Sequence, residues 1–177
     1  MGNDGNKRLI GALNRLLAKK HASALRSATY AALVCGPHAD ALSKRFQEIA
    51  SDEIVHADLL RKRICGIGGT PTMEVDGGRS RADGRLAEMI QTSVLEGREA
   101  IKDVAAILEN IPRLNVLLYR TLEGILKDEQ QHLEQLLRLA PGDEEIVSKG
   151  QPDDPLEARW DRDSHRSAQK APLEFWD

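Results

Sequence analysis

The chain has 177 residues, 41% of them hydrophobic and only 3% aromatic, and a formal net charge of −3, which suits one domain of ordinary size with its own core. Two cysteines exclude a disulfide scaffold, and no apolar run approaches the roughly 20 residues needed to cross a bilayer. The acidic balance argues against a general nucleic-acid binder, and Met1–Asn6 lacks the basic and apolar regions of a secretory signal, so the expectation is a cytoplasmic protein in a reducing compartment, off the membrane.

Prolines stand at 37, 71, 112, 141, 152, 155 and 172. None interrupts the long segments between, and proline inside a helix removes a hydrogen bond and clashes with the preceding turn, so long helices are permitted there. In chain order, Leu9, Leu13, Leu16, Leu17, Ala24, Ala28 and Ala31 predict a helix over 6–35. Leu42, Phe46, Ile49, Val55, Leu59 and Ile64 predict a second over 39–66. Leu86, Ile90, Val94, Ile101, Val104 and Ile107 predict a third over 83–110, with Asp83 near its N-cap. Leu114, Leu118, Leu122, Ile125, Leu133, Leu136 and Leu139 predict a fourth, with Pro112 in its first turn and Pro141-Gly142 beyond its end.

Connection lengths predict the topology. Cys35-Gly36-Pro37 and Asn110-Ile111-Pro112 are short enough to make two antiparallel hairpins. Between them lies the glycine-rich stretch from Gly66 to Ala82, with Gly66-Ile-Gly-Gly69 reading as a helix C-cap. An all-α, up-down-down-up four-helix bundle with one long crossover between helices two and three is the ferritin-like arrangement.

The chemistry lies on helices two and four. Ile49-x-x-Asp52-Glu53-x-x-His56-x-Asp58 is repeated as Ile125-x-x-Asp128-Glu129-x-x-His132-x-Glu134. A carboxylate and an imidazole at i and i+3 share one helix face and can grip one ion or two adjacent ions. Two such faces turned inward, on helices expected to lie diagonally across the bundle, give a mixed carboxylate–imidazole site suited to iron or manganese.

Other features read as structure. Cys35-x-x-His38 falls in a turn with no partner pair, and Cys35 and Cys65 lie near opposite ends of the first hairpin, too far apart for a disulfide. Lys19-Lys20-His21 and Arg61-Lys62-Arg63 read as solvated faces.

Over residues 9–140 the chain resembles bacterioferritin and its relatives in the ferritin-like superfamily, at Leu13-Asn14-Arg-Leu16-Leu17, Glu53-Ile-Val-His56-Ala-Asp58 and Leu126-Lys-Asp-Glu129-Gln-Gln-His132. The resemblance implies a ferroxidase centre in which Glu53 and His56 form one half, Glu129 and His132 the other, and Glu96 the third-helix ligand, with Glu99 as its alternative. It also implies a homo-oligomer, a twofold dimer or a cage. Two positions depart from the pattern. The first-helix glutamate falls on Lys20, whose ammonium cannot ligate a cation. That makes the site mononuclear or silenced, unless Lys20 snorkels outward and His21 or a one-residue shift restores it. The residue corresponding to the family's haem-binding methionine is Ile54, and Met1, Met73 and Met89 stand elsewhere, so no haem is expected.

The implied function is iron binding, with Fe(II) oxidised by O₂ or peroxide for storage or detoxification. A Dps-like oxidative-stress protein, a bundle with a relic site acting as a structural or interaction protein, and a di-iron oxygenase are the alternatives. No basic N-terminal arm is present to hold DNA as a Dps-like protein would. Residues 1–140 read as the bundle and 141–177 as a separate acidic tail of net charge −5. That tail carries Trp160, Phe175 and Trp176, with a short helix expected near 155–168 that docks on the bundle or on a neighbouring subunit.

Overall fold

The computed structural model describes residues 3–36, 39–76, 85–111 and 115–139. They form four helices, α1 (Asn3–Leu33), α2 (Ala39–Gly66), α3 (Leu86–Asn110) and α4 (Val116–Leu139). Among the described residues there is no strand, and no helix is long and apolar enough to cross a membrane. The chain divides into two units, Met1–Ala140 and Pro141–Asp177, and all described residues belong to the first. The helix expected near 155–168, and His38 of the Cys-x-x-His stretch, lie outside the described residues.

Local chemistry sets the helix ends. After α1, Gly36 adopts a φ of 103°, a left-handed conformation that glycine reaches without Cβ strain, and the Ser43 hydroxyl donates to the Ala31 carbonyl at 2.7 Å. At the end of α2 the Gly68 N–H bonds the Cys65 carbonyl and the Gly69 N–H bonds the Ile64 carbonyl, both at 2.9 Å, with Gly68 at φ 78°. This paired bonding around a left-handed glycine satisfies the last helical carbonyls, as the C-cap expectation required. α3 stops because Ile111 precedes Pro112, which drives it to an extended φ of −76° and ψ of 134°.

Two starts differ from expectation. α4 begins at Val116, since Asn115 supplies the cap: its Oδ1 accepts the Leu118 N–H at 3.3 Å. Pro112 lies outside the described residues, as does Asp83, and α3 begins after an extended Arg85 that provides no side-chain cap.

Cross-helix pairs give the directions. Lys19 meets Asp103 and Arg26 meets Glu96, so α1 and α3 run antiparallel. Asp52 meets His132 and His56 meets Asp128, so α2 and α4 also run antiparallel. With Lys20 against Glu53 in the first hairpin, the order is up-down-down-up. These contacts make α2 and α4 neighbours, which corrects the diagonal placement expected from the sequence. The diagonal pairs are α1 with α4 and α2 with α3.

Apolar side chains fill both ends of the bundle. One cluster joins Leu13, Leu16, Leu17, Leu60, Ile64, Val104, Leu118 and Leu122, among others. The other joins Tyr30, Phe46, Ile49, Ile90, Val94 and Leu136, with Tyr30 and Phe46 edge to face at a 5.5 Å centroid separation. Between them lies a polar layer of Lys20, Ser27, Glu53, His56, Glu129 and His132, all buried. This layer misleads a purely apolar reading of α2. The buried row is Ile49, Glu53, His56, Leu60 and Ile64, while Val55, expected inside, is exposed. Spacings of three and four continue through the polar residues.

The crossover is tied down along α1. Asn6 Nδ2 donates to the Ile67 carbonyl at 3.1 Å, and Asn14 bonds the Thr70 carbonyl at 3.0 Å and the Thr72 N–H at 2.8 Å. Farther on, His21 Nδ1 meets the Glu74 carbonyl at 2.7 Å and the Asp76 N–H donates to the Ala18 carbonyl at 3.0 Å.

Candidate metal centre

The centre is built from one residue pattern used twice. In Asp52-Glu53-x-x-His56, Glu53 and His56 share the inner face of α2, while Asp52 is turned about 100° around the helix toward α4. Asp128-Glu129-x-x-His132 does the same on α4, and because the two helices are antiparallel neighbours the aspartates cross over. Asp52 Oδ2 bonds His132 Nε2 at 2.9 Å, and Asp128 Oδ2 bonds His56 Nε2 at 3.1 Å. Each imidazole is held by Nε2, leaving Nδ1 buried and without a hydrogen-bond partner on both rings. An aspartate bonded to the far nitrogen orients an imidazole and raises its basicity as a ligand. Both aspartates stand in the repeated sequence frame, and their recurrence in its two copies is the signal that marks them.

Glu53, His56 and Glu129 offer ligand atoms that all lie within 4.8 Å of one another. Lys20 stands among them. Its side chain is 2% exposed, its Nζ bonds Glu129 Oε1, and it bonds Glu53 Oε1 at 3.2 Å. Glu53 Oε2 lies 3.0 Å from the same nitrogen but makes no hydrogen bond. This corrects two expectations. Lys20 belongs to no solvated face, and it does not snorkel outward; two buried carboxylates hold the ammonium inside. His21 does not rescue the site, since it is engaged by Glu74 and by Arg61 at 2.7 Å.

Electrostatics follow from that arrangement. Burial opposes the Lys20 charge, but Glu53 and Glu129 outweigh it and raise its pKa above the usual value. His56 is also disfavoured by burial and by Lys20, yet the nearby Glu129 and Glu53 carboxylates, 3.5 Å and 3.9 Å from Nδ1, and its bond to Asp128 push it up to about 9. Glu129 is pushed upward by burial but held down to about 2 by His56 and Lys20. Around neutral pH, two cations therefore face the Glu53 and Glu129 carboxylates, and this half of the centre is balanced by the chain's own charges.

The other half differs. Glu96 on α3 is paired with Arg26 on α1, and burial raises its pKa against the pull of that guanidinium. Glu99, the alternative third-helix ligand, lines the same cavity. That cavity, about 250 Å³, is lined by Lys20, Arg26, Glu53, Glu96 and His132 together with Ser23 and Glu99. Ser23 Oγ donates to Glu53 Oε1 at 3.2 Å. Arg26 and Ser23 carry no motif, and no periodicity distinguishes them from surface residues. Cys35 and Cys65 are both free and exposed.

Comparison with known proteins agrees with this architecture. The sequence profile of the ferritin-like domain matches residues 10–141. A ferritin-like, diiron-carboxylate protein from Bacillus anthracis str. Ames is 32% identical, with a TM-score of 0.72 over 80% of this chain and 100% of that one. A dodecameric thioferritin, the bacterioferritin-related protein from Bacteroides fragilis, is 22% identical with a TM-score of 0.68, covering 75% of this chain and 84% of that one. A Dps protein from Bacillus brevis is 19% identical with a TM-score of 0.71, covering 80% and 100%. The last two show a shared fold. Comparison with curated proteins gives no significant match. With three-quarters of its length matched and four helices in up-down-down-up order carrying a repeated Glu-x-x-His pattern, the chain belongs to the ferritin-like domain family.

Proposed function

We propose that this chain is an iron-binding, homo-oligomeric member of the family whose intrabundle centre takes one Fe(II) per subunit rather than two. The observation that carries this is Lys20, whose ammonium sits where a second cation would have to lie, bonded to Glu53 and Glu129. Two ions do not fit this donor set: the first-helix carboxylate is absent and its place holds a positive charge. One ion fits, because His132 Nδ1 is a buried ligand atom without a hydrogen-bond partner on the wall of a cavity that Glu53 and Glu96 also line. Glu53, Glu96 and His132 are then the available ligands, with Glu129 and His56 completing the site if Lys20 is displaced.

Fe(II) is the substrate, and each ion gives up one electron as it becomes Fe(III), so two Fe(II) with two protons reduce one H₂O₂ to two waters, and four Fe(II) with four protons reduce one O₂ to two waters. The carboxylates compensate the added positive charge. Ile54 offers no ligand atom at the position where the family holds haem, and the reading includes no haem. Assembly into an oligomer is supported by the dodecameric B. fragilis neighbour of the same fold.

The test is Lys20→Glu. Anaerobic titration should give one Fe(II) per subunit for the native chain and two for Lys20→Glu, with faster iron oxidation in the variant. An unchanged stoichiometry and rate overturns the reading. A native chain that binds no ion at all supports instead a metal-free bundle with a structural role, the second reading that the two Lys20 ion pairs favour.

A further inference from the structure

Resting on the one-ion reading, we infer that the ion occupies the His132 half of the centre, reached through the cavity between α1 and α3, and that Arg26 is a positioning residue that competes with the ion for Glu96. Four observations carry this. The cavity is lined by Glu53, Glu96 and His132 but by neither His56 nor Glu129. His132, more than nine-tenths buried, presents its Nδ1 with no hydrogen-bond partner, and Glu53 Oε2, which makes no hydrogen bond, faces the Lys20 ammonium at 3.0 Å. His132 has its Nε2 tied to Asp52, so its remaining nitrogen is the one available to a ligand. Glu96 is engaged by the Arg26 guanidinium, which lines the same cavity.

The two halves also differ in what an ion must displace. On the His56 side it must break Lys20 from two carboxylates, with all three side chains at most 4% exposed. Freeing an ammonium there leaves it buried and unpaired, which is costly. On the His132 side Glu53 stays paired with Lys20, and the ion must break Arg26 from Glu96, whose side chains are 12% and 36% exposed. Water can take over part of that interaction on the Glu96 side, so this pair is exchanged more easily than the fully buried Lys20 pairs. Arg26 thus keeps Glu96 occupied in the absence of metal and yields it to a divalent cation. The guanidinium sets affinity without touching the ion.

Titration of the full-length protein with Co(II), followed by its visible ligand-field absorption, tests both parts. Arg26→Gln should bind Co(II) roughly five- to tenfold more tightly than the native chain. Arg26→Lys, which keeps the charge, should stay within about twofold of native. The Arg26→Gln gain should vanish in a Glu96→Gln background, where no carboxylate is left to release. His132→Gln should abolish the absorption and His56→Gln should retain it. Equal affinity in the native chain and Arg26→Gln, or a gain that persists without Glu96, overturns the role of Arg26. Loss of the spectrum in His56→Gln with retention in His132→Gln assigns the ion to the other half and overturns the placement. Absence of binding in the native chain and every variant overturns the one-ion reading itself, and is distinguishable from a native chain that binds but ignores Arg26.

Discussion

Nζ of Lys20 lies 3.0 Å from Oε2 of Glu53 in the middle of the bundle, and the same ammonium also bonds Glu129. An amine on α1 therefore links carboxylates from α2 and α4, in the middle of the candidate metal centre. Lys20→Met should consequently destabilise the metal-free protein by about 3–5 kcal/mol, because it leaves two buried carboxylates short of countercharge. Urea denaturation at neutral pH measures this. Added Mn(II) should recover part of the loss in the variant and much less in the native chain; a variant as stable as native shows that the pairs contribute nothing net.

Stability should also depend on pH in a direction set by His56 and Glu129. His56 moves from an unfolded value near 6.5 up to about 9, so its contribution is complete below pH 6.5 and is lost as pH rises through 9. Glu129 moves from 4.5 down to about 2, so its contribution is complete above pH 4.5 and is lost as pH falls through 2. Both include the contact between the same two residues, so they count once there, at on the order of 3 kcal/mol. Metal-free protein should be most stable between about pH 4.5 and 6.5 and weaken toward pH 9.5. His56→Gln should flatten the alkaline limb.

The crossed aspartates offer a separate check on where an ion sits. Asp52 orients His132 and Asp128 orients His56. Removing such an orienting group commonly costs 10–100-fold in metal affinity. Asp52→Ala should therefore weaken Co(II) binding by about that factor, and Asp128→Ala by much less. The reverse order in isothermal titration contradicts the assignment to the His132 half.

Gly69 anchors the crossover by close approach. A Cβ at that position would lie 2.9 Å from the Cγ2 atoms of both Ile10 and Ile64. Gly69→Ala should destabilise by about 1–3 kcal/mol, the usual cost of overpacking. Gly66→Ala, where nothing lies within 4 Å, should be neutral or slightly stabilising. Thermal melts of the two variants side by side separate crowding from backbone entropy.

The four helices were legible because periodicity and proline spacing are local properties. Helix ends were less so. Asn115 rather than Pro112 starts α4, since a short polar side chain able to accept the Leu118 N–H defines the cap. The inward row of α2 was obscured at Glu53 and His56, because an apolar pattern skips the polar residues that a buried site requires.

The sequence by itself determined the helical class, the hairpin–crossover–hairpin order and the paired Glu-x-x-His frames. All of these follow from spacing along one chain. Its resemblance to the family also marked Lys20 as the odd residue at an expected ligand position, but left open whether its charge faced water or the core. Only the tertiary structure decided that, and it also made α2 and α4 neighbours, crossed Asp52 and Asp128 onto opposite histidines and set Arg26 against Glu96. The reason is physical: the direction a long charged side chain takes depends on which countercharges lie within reach, and here those come from helices 33 and 109 residues away.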